Sequence, residues 1–317
     1  MKVWQFIQQK QSNAVRVILL YVLESTGSSP GRQGFKMAVA ADGEFCGTIG
    51  GGIMEHKFVE LAKSKLHTTT DAAEIIKQVH DKISAQNQSG MICSGKQTIF
   101  FYEIQSTDND AVVQLLNSLL KNKNGTLQLN INSISFSEAT PDKDFDLVMN
   151  EDETAFLYKE KTGYKNILHI IGGGHCALAL SELMRKMDFF VCVYDERDEL
   201  NTMNANLFAH EKRIIKSYTD LKHLISEGKN VYVVIMTFGY RSDDLALRSL
   251  LGKSFKYIGM LGSKNKIEKM FEEYRRENMD TALLEKIKAP IGLFIKSETT
   301  DEIAVSIAAE IIAAKNI

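Results

Sequence analysis

The stretch that decides the fold is residues 167–195, ILHIIGGGHCALALSELMRKMDFFVCVYD. A short apolar run precedes three glycines, apolar residues then recur at helical spacing, and a second apolar run ends in an acid. This order predicts a strand, a glycine turn, a helix and a second strand. Small residues stand at Gly172, Gly174 and Ala177, which is the dinucleotide-binding fingerprint with alanine in the third place. The stretch therefore predicts a Rossmann unit.

Each small residue of this turn has a physical task. Gly172 permits a tight turn, Gly174 lets backbone approach a pyrophosphate, and Ala177 lets the helix pack closely on the strand. The first N–H groups of the helix have no partner within it, so they favour an anion. Asp195 ends the second strand, where a carboxylate can accept hydrogen bonds from ribose hydroxyls. The alternative is a flavodoxin-like turn that holds no nucleotide.

The C-terminal half continues in the same style. Apolar runs separated by helical patterns predict further strands at 212–218, 230–237 and 256–262. Ligands of open parallel sheets bind outside the carboxyl ends of the strands. The strand-end residues that share this predicted rim are Asp195, Thr237, Gly262 and Ser263. Ser263 fits equally well as the N-cap of the next helix and as a ligand contact. Thr300 is the predicted cap of the terminal helix.

The composition is that of an ordinary globular chain. It has 317 residues, of which 44% are hydrophobic and 25% are charged. A net charge of −2 gives no electrostatic footprint for nucleic acid or an anionic membrane, and no run of about 18 apolar residues predicts a membrane span. The four cysteines form no CxxC pair, which favours a reducing cytoplasm over a disulfide scaffold or zinc ribbon. The histidines show no metal-ligand spacing, so no metal site is predicted.

A second glycine-rich region lies in the N-terminal half. The loop TGSSPGRQG (26–34) follows a β-rich apolar run, and a predicted hairpin then leads to Gly50-Gly51-Gly52 directly before an amphipathic helix. A strand that runs into glycines and a helix start again presents free N–H groups to an anion. The loop carries Ser28, Ser29 and Arg32. Two interpretations stay open here: a site for a phosphate-bearing ligand, or glycine clusters that only shape turns.

The remaining patterns define the domain organisation. A helix is predicted within 71–90, and 138–166 is interpreted as the interdomain region. The predicted domains are an N-terminal domain at 1–150 and a nucleotide-binding domain at 163–317. The fold class is α/β, with a C-terminal Rossmann-like parallel sheet and a smaller N-terminal α/β domain.

Cys93 precedes the predicted strand at 97–104 in the order Cys93-Ser94-Gly95. A cysteine at a strand entrance is either a reactive thiol or a small buried filler, and free cysteines are more often the latter.

Several ordered motifs together resemble the xanthine dehydrogenase accessory family, also called the XdhC/CoxI family. The N-terminal signature is similar to TGSSPGRQGFKMAVAADGEFCGTIGGGIMEH (26–56), and Cys93-Ser94-Gly95 resembles the family's Cys-Gly-Gly element. The C-terminal signatures resemble GGGHCALALSELMRKMDFFVCVYDERDE (172–199), YIGMLGSKNK (257–266), APIG (289–292) and EIAVSIAAEII (302–312). The resemblance covers nearly the whole chain. This chain departs from the family in having Phe238 where members have a histidine after Thr237.

The resemblance implies a chaperone for a molybdenum hydroxylase. Such a protein binds the molybdenum cofactor, a pterin, assists its sulfuration and inserts it into a xanthine dehydrogenase-type enzyme. A homodimer and a cysteine desulfurase are the further partners expected. The candidate pterin-binding residues carried over from the family are Ser28, Ser29, Gly31, Gly50, Gly51, Gly52, Glu55 and Cys93.

The competing hypothesis is an oxidoreductase that uses NAD(P) in the Rossmann domain. Such an enzyme needs a proton donor beside the hydride acceptor. No Tyr-x-x-x-Lys pair follows the fourth strand, and no His–Asp constellation is evident, so no catalytic residue is assigned. His175, in the glycine turn, is the histidine to examine, although a structural role suits it better.

Overall fold

The computed structural model describes residues 1–68, 73–79, 95–152 and 154–317. They form two compact units, Met1–Gly163 and Tyr164–Ile317. Cys93 lies outside the described residues. Within them, no helix combines the length and apolar character needed to cross a membrane.

Unit 1 (Met1–Gly163) contains three helices and nine strands among its described residues. The helices are α1 (Lys2–Ser12), α2 (Gly52–Leu66) and α3 (Asn109–Leu120). The strands are β1 (Val17–Gly27), β2 (Lys36–Ala40), β3 (Phe45–Thr48), β4 (Ala73–Val79), β5 (Gly95–Glu103), β6 (Gly125–Asn130), β7 (Ser133–Ser137), β8 (Phe145–Met149) and β9 (Phe156–Thr162).

The strands of unit 1 form two antiparallel sheets. The first has the order β3-β2-β1-β5-β4 and the second has the order β7-β6-β9-β8. β1 is the central strand, and seven consecutive residues from Val17 to Leu23 are buried because both of its faces are covered. Ile18, Leu20 and Val22 pack against α2 on one face, while the alternate side chains pack with α1, α3 and the second sheet. Both faces of the first sheet of unit 1 are therefore covered by other elements.

Two sequence predictions for unit 1 were wrong. Residues 73–79, within the predicted helix at 71–90, form the edge strand β4, because every residue from Ala73 to Val79 finds a partner on β5. Part of the predicted interdomain region, 138–166, belongs to the second sheet. There β8 and β9 pair with each other from Phe145 to Glu160, and the boundary between the units follows Gly163.

Unit 2 (Tyr164–Ile317) has the alternation that the sequence predicts. Its strands are β10 (Asn166–Ile171), β11 (Phe189–Asp195), β12 (Glu211–Ile214), β13 (Gly228–Ile235) and β14 (Phe255–Met260). Its helices are α4 (His175–Lys186), α5 (Asn201–Ala205), α6 (Leu221–Leu224), α7 (Tyr240–Leu250), α8 (Lys264–Arg276), α9 (Thr281–Leu284) and α10 (Thr300–Lys315).

The five strands form a parallel sheet in the order β12-β11-β10-β13-β14. One face packs on α4 and α10, and the other packs on α6, α7 and α8. The sheet is thus doubly wound, and its strand order reverses between β10 and β13, which is where ligands bind in open α/β sheets. The expected α/β class with a C-terminal Rossmann domain is confirmed.

The start of α10 differs by one residue from the prediction. Thr299, not Thr300, is the N-cap: its hydroxyl accepts from the Glu302 N–H at 3.2 Å, and the Glu302 carboxylate accepts from the Thr299 N–H at 3.1 Å. This reciprocal pair is a capping box, which needs a glutamate three residues after the cap. Glu302 is three residues after Thr299 but only two after Thr300, so Thr299 is the cap.

Candidate functional site

Three segments that are far apart in sequence meet at one place in unit 1, which we call the glycine crossing: Ser28–Gly31, Ile49–Gly52 and Gly95. The backbones touch so closely that side chains are excluded. A Cβ on Gly31 would lie 2.0 Å from the carbonyl oxygen of Ile49, and one on Gly95 would lie 2.5 Å from the backbone nitrogen of Ser29. These glycines are needed for close approach rather than for flexibility. The structure thus brings the two glycine-rich regions of the N-terminal half together.

A buried glutamine holds the glycine crossing. Gln97, which is 3% exposed, lies on β5 beneath the crossing. Its Nε2 donates to the carbonyl oxygen of Gly31 at 3.0 Å and to that of Ile49 at 3.1 Å. One side chain therefore fixes the loop before β2 to the turn before α2. Gln97 was not among the residues predicted from the sequence, although a glutamine two residues before the apolar run at 99–102 was a visible signal.

Glu55 lies on the first turn of α2 and accepts three hydrogen bonds on one oxygen, Oε2. The donors are the Thr48 hydroxyl at 2.5 Å, the Ile49 N–H at 2.9 Å and the Gly51 N–H at 2.9 Å. A negative group is favoured there by the helix dipole. The carboxylate of Glu55 therefore occupies the Gly51 N–H, a donor of the glycine triplet that was expected, from the sequence, to face an external anion. What stays open around the triplet is the outer side of Gly51, where a Cβ would meet nothing within 4 Å.

The predicted hydroxyls of the loop have different exposures. Ser29 is buried, and its hydroxyl donates to the Gly31 carbonyl at 3.2 Å. Ser28 and Arg32 are exposed, and Arg32 donates through Nη1 to the carbonyl of Gly27 at 3.1 Å. A guanidinium has five N–H donors, so Arg32 keeps donors for a ligand. Ser28 and Arg32 thus face solvent, whereas Ser29 shapes the loop.

The glycine turn of unit 2 has the geometry of a dinucleotide loop. Gly172 has a φ of +106°, and a Cβ there would lie 2.3 Å from the carbonyl oxygen of Met236, so β10 and β13 meet closely at the reversal of strand order. Gly174 precedes α4 with no side-chain cap, and the space around it is open. Ala177 is fully buried against the sheet. An anion can therefore reach the start of α4.

Asp195 is already engaged within the chain. It is fully buried, and its carboxylate accepts from the Gly173 N–H at 2.7 Å and from Arg197 Nε and Nη2, each at 2.8 Å. Burial opposes ionisation, but the hydrogen bonds from Arg197 and Gly173 lower the pKa of Asp195 overall. For Asp195 to accept from ribose hydroxyls, Arg197 has to release it.

The rest of the predicted rim is organised by an ion pair between the buried carboxylate of Asp243 and the partly exposed Lys266. The Thr237 N–H and hydroxyl both donate to Asp243, at 3.0 and 2.6 Å, and Asp243 also pairs with the ammonium of Lys266. Ser263 caps α8, because its hydroxyl accepts from the Lys266 N–H at 3.3 Å, while Gly262 lies against the Lys266 side chain. Neither Lys266 nor Asp243 was among the site residues predicted from the sequence. Neither has a local sequence signal, since they lie on different helices.

Among the residues that the structure describes, no group of three or more His, Cys, Asp or Glu side chains could hold a metal ion. The site residues thus separate into two places: the glycine crossing with Glu55 in unit 1, and the glycine turn with its rim in unit 2. Each place presents helix N–H groups and glycine backbone, a setting suited to a phosphate-bearing ligand.

Comparison with known proteins places the chain in a family. The model of the XdhC and CoxI family matches residues 11–76, and the model of the XdhC Rossmann domain matches residues 168–311. The chain belongs to the XdhC family. The first match includes the loop and glycine triplet of the crossing, and the second includes the whole glycine turn and rim of unit 2. The resemblance stated from the sequence motifs is therefore confirmed.

Individual relatives of this XdhC-family protein are distant. It is 22% identical over 299 residues to the uncharacterized protein YqeB of Escherichia coli, covering 93% of this chain and 43% of that protein. It is 27% identical over 164 residues to a probable xanthine dehydrogenase subunit of Bacillus subtilis, covering 51% of this chain and 46% of that protein. The chain spans less than half the length of both curated relatives.

A solved structure shares the complete fold. The crystal structure of a xanthine dehydrogenase from Bacillus halodurans superposes with a TM-score of 0.72 at 19% identity, over 100% of this chain and 96% of that one. At this identity the likeness concerns the fold alone. It indicates that the combination of an N-terminal α/β unit with a Rossmann unit is an architecture found in another protein.

Proposed function

We propose that this XdhC-family protein binds the molybdenum cofactor as cargo in unit 1, assists its sulfuration and delivers it to a xanthine dehydrogenase-type molybdenum hydroxylase. Family membership and the similarity to a probable xanthine dehydrogenase subunit support this role. The observation that carries it is the glycine crossing, where segments separated by dozens of residues converge beside a helix start.

Each part of the crossing has a proposed task. The cargo carries a phosphate, which suits the first N–H groups of α2 after Gly51, whose own N–H is held by Glu55, with Ser28 and Arg32 as side-chain donors. Ser29, Gly31 and Gly50 shape the surface from inside, and Glu55 holds the turn in place. Cys93, which lies outside the described residues, is proposed from the family resemblance as a thiol that contacts the cargo. The cargo itself supplies the oxo-transfer chemistry of the client enzyme.

The partners follow from this role. The client is a molybdenum hydroxylase, a cysteine desulfurase provides the sulfur, and the protein acts as a homodimer in the cytoplasm. These partners are part of the proposal and rest on the family relationship alone.

A nucleotide in unit 2 is the second candidate. The open, uncapped start of α4 at Gly174 favours an anion there, and NAD(P) is the ligand class that the turn suggests. The engagement of Asp195 by Arg197 reduces the support for a ribose contact. An oxidoreductase function therefore ranks below the cargo role.

Binding measurements test the proposal. Molybdenum cofactor released anaerobically from a molybdenum hydroxylase is titrated into the wild type, Arg32→Ala in unit 1 and Arg197→Ala in unit 2. We expect micromolar or tighter binding, weakened about tenfold by loss of one phosphate contact in Arg32→Ala, which corresponds to about 1.4 kcal/mol. Arg197→Ala should retain the wild-type affinity. Absence of cofactor binding together with saturable NAD(H) binding that Arg197→Ala alters would refute the cargo role and favour an oxidoreductase.

A further inference from the structure

One buried hydrogen-bond donor beside the glycine crossing is unused. Among the described residues, three buried side-chain polar atoms have no hydrogen-bond partner: Gln78 Nε2, Thr162 Oγ1 and Tyr274 OH. Gln78 is 2% exposed. Native proteins pair nearly all buried polar atoms, so each exception calls for a physical reason.

Gln78 is placed next to the glutamine that holds the crossing. In the β4–β5 ladder its direct partner is Gln97, and partners in an antiparallel ladder project from the same face with Cβ atoms about 4.5–5.5 Å apart. Ile76, two residues earlier on that face, packs against the cluster under α2. The two amides therefore lie side by side on the α2 face. Gln97 uses its amide to fix Gly31 and Ile49, whereas the amide of Gln78 has its Nε2 free.

An apolar side chain would suit this position better if the amide had only a structural role. Burying a donor without a partner lowers the stability of the folded state, and replacing it with an apolar group of similar shape removes that cost. The presence of glutamine at this position is explained when a bound ligand supplies the hydrogen-bond acceptor that the protein lacks.

The geometry of the amide indicates the class of ligand. A carboxamide presents a carbonyl acceptor and an N–H donor side by side, which matches the N–H and C=O edge of a cyclic lactam, much as glutamine reads a base edge with two hydrogen bonds. We propose that Gln78 recognises the lactam edge of a bicyclic heterocycle of the pterin type bound at the glycine crossing. This inference rests on the proposed function and deepens it, since it names the part of the cargo that is read. Gln78 is 2% exposed, so this contact requires neighbouring side chains to move when the ring binds.

The test pairs two variants that remove an unpaired buried polar atom in unit 1. Gln78→Met removes the proposed contact, and Thr162→Val removes an unpaired hydroxyl elsewhere. Stability without ligand is followed by urea unfolding through the fluorescence of Trp4, which is buried in unit 1 and is the single tryptophan of the chain. Affinity is measured for molybdenum cofactor, for a simple pterin and for guanosine, which also has a lactam edge.

Neither variant should lower the urea midpoint. Gln78→Met should weaken pterin binding at least tenfold, while Thr162→Val should bind as the wild type does. A Gln78→Met variant that keeps wild-type affinity, or that is clearly less stable than the wild type, overturns the inference.

The guanosine and pterin probes separate this inference from the proposed function. Binding of guanosine or pterin that depends on Gln78, without binding of molybdenum cofactor, refutes the cargo role and leaves the lactam recognition standing. If molybdenum cofactor binds equally well to the wild type and to Gln78→Met, the cargo role stands and the lactam recognition by Gln78 is refuted. If the wild type binds none of the three probes, both are refuted.

Discussion

Replacement of Glu55 gives a graded test of how the start of α2 is held. Three donors converge on Oε2 of Glu55, and its second oxygen makes no hydrogen bond of its own to the described residues. Glu55→Gln can present its amide oxygen at the same place and keep all three bonds as neutral ones, whereas Glu55→Ala loses them all. The two substitutions therefore separate the charge from the hydrogen bonds.

The expected magnitudes follow from the three contacts. A hydrogen bond to a charged acceptor contributes about 1.5–3 kcal/mol and a neutral one about 0.5–1.5 kcal/mol, and water replaces part of the loss at a half-exposed position such as Glu55. We expect Glu55→Gln to lower the free energy of unfolding of unit 1 by about 1–2 kcal/mol and Glu55→Ala by about 3 kcal/mol. For a typical urea dependence, the larger change lowers the midpoint by about 1 M.

The assay is urea unfolding at 25 °C followed by the fluorescence of Trp4, which reports on unit 1 alone. The matched control is Glu60→Ala in the same helix, since Glu60 makes only a surface ion pair with Lys63 and its loss should leave the midpoint where it is. Equal effects of the glutamine and alanine substitutions, or a Glu55→Ala variant as stable as the wild type, would show that the carboxylate does not hold the turn.

Two further outcomes are expected. Gly31→Ala should destabilise unit 1 by about 1–3 kcal/mol, because the new Cβ meets the Ile49 carbonyl oxygen and cannot be accommodated. The control is Gly43→Ala, which has open space around its Cβ position. In the same urea assay it should lose only the stability that a positive φ costs a residue other than glycine. In unit 2, the pKa of Asp195 is lowered on folding, so its stabilising contribution is present above the ordinary value of 3.8 and is lost as the pH falls through the folded-state pKa. Calorimetry should therefore find Asp195→Asn less stable than the wild type at pH 7, with the difference shrinking below pH about 4; a difference that is constant from pH 7 to 3 would contradict this account.

The prediction of unit 2 depended on sequence patterns among neighbouring residues. The alternation of apolar runs, glycines and helical spacing is written into consecutive residues, and parallel strands buried on both faces read as uninterrupted apolar segments. Ser263 was recognised as a possible cap for the same reason, since a cap and the helix it begins are adjacent in sequence. The family motifs gave the relationship that the comparisons confirm.

Which strands pair and which side chains contact each other, in contrast, could not be predicted from local sequence patterns. The strand at 73–79 was misread as helix because an edge strand is defined by its pairing, and its partner β5 begins only at Gly95. Asp195 was expected to face a ligand, yet only the folded loop shows that Arg197 reaches back to hold it.

The sequence by itself determined the doubly wound unit, the position of its glycine turn and the family, because each depends on the order and periodicity of neighbouring residues. Only the tertiary structure decided that Gly31, Gly50 and Gly95 form one crossing, that Gln97 fixes it, and that Gln78 is left with an unused donor beside it. Those contacts join residues that lie far apart along the chain, and they exist only when the strands have paired and brought the segments together.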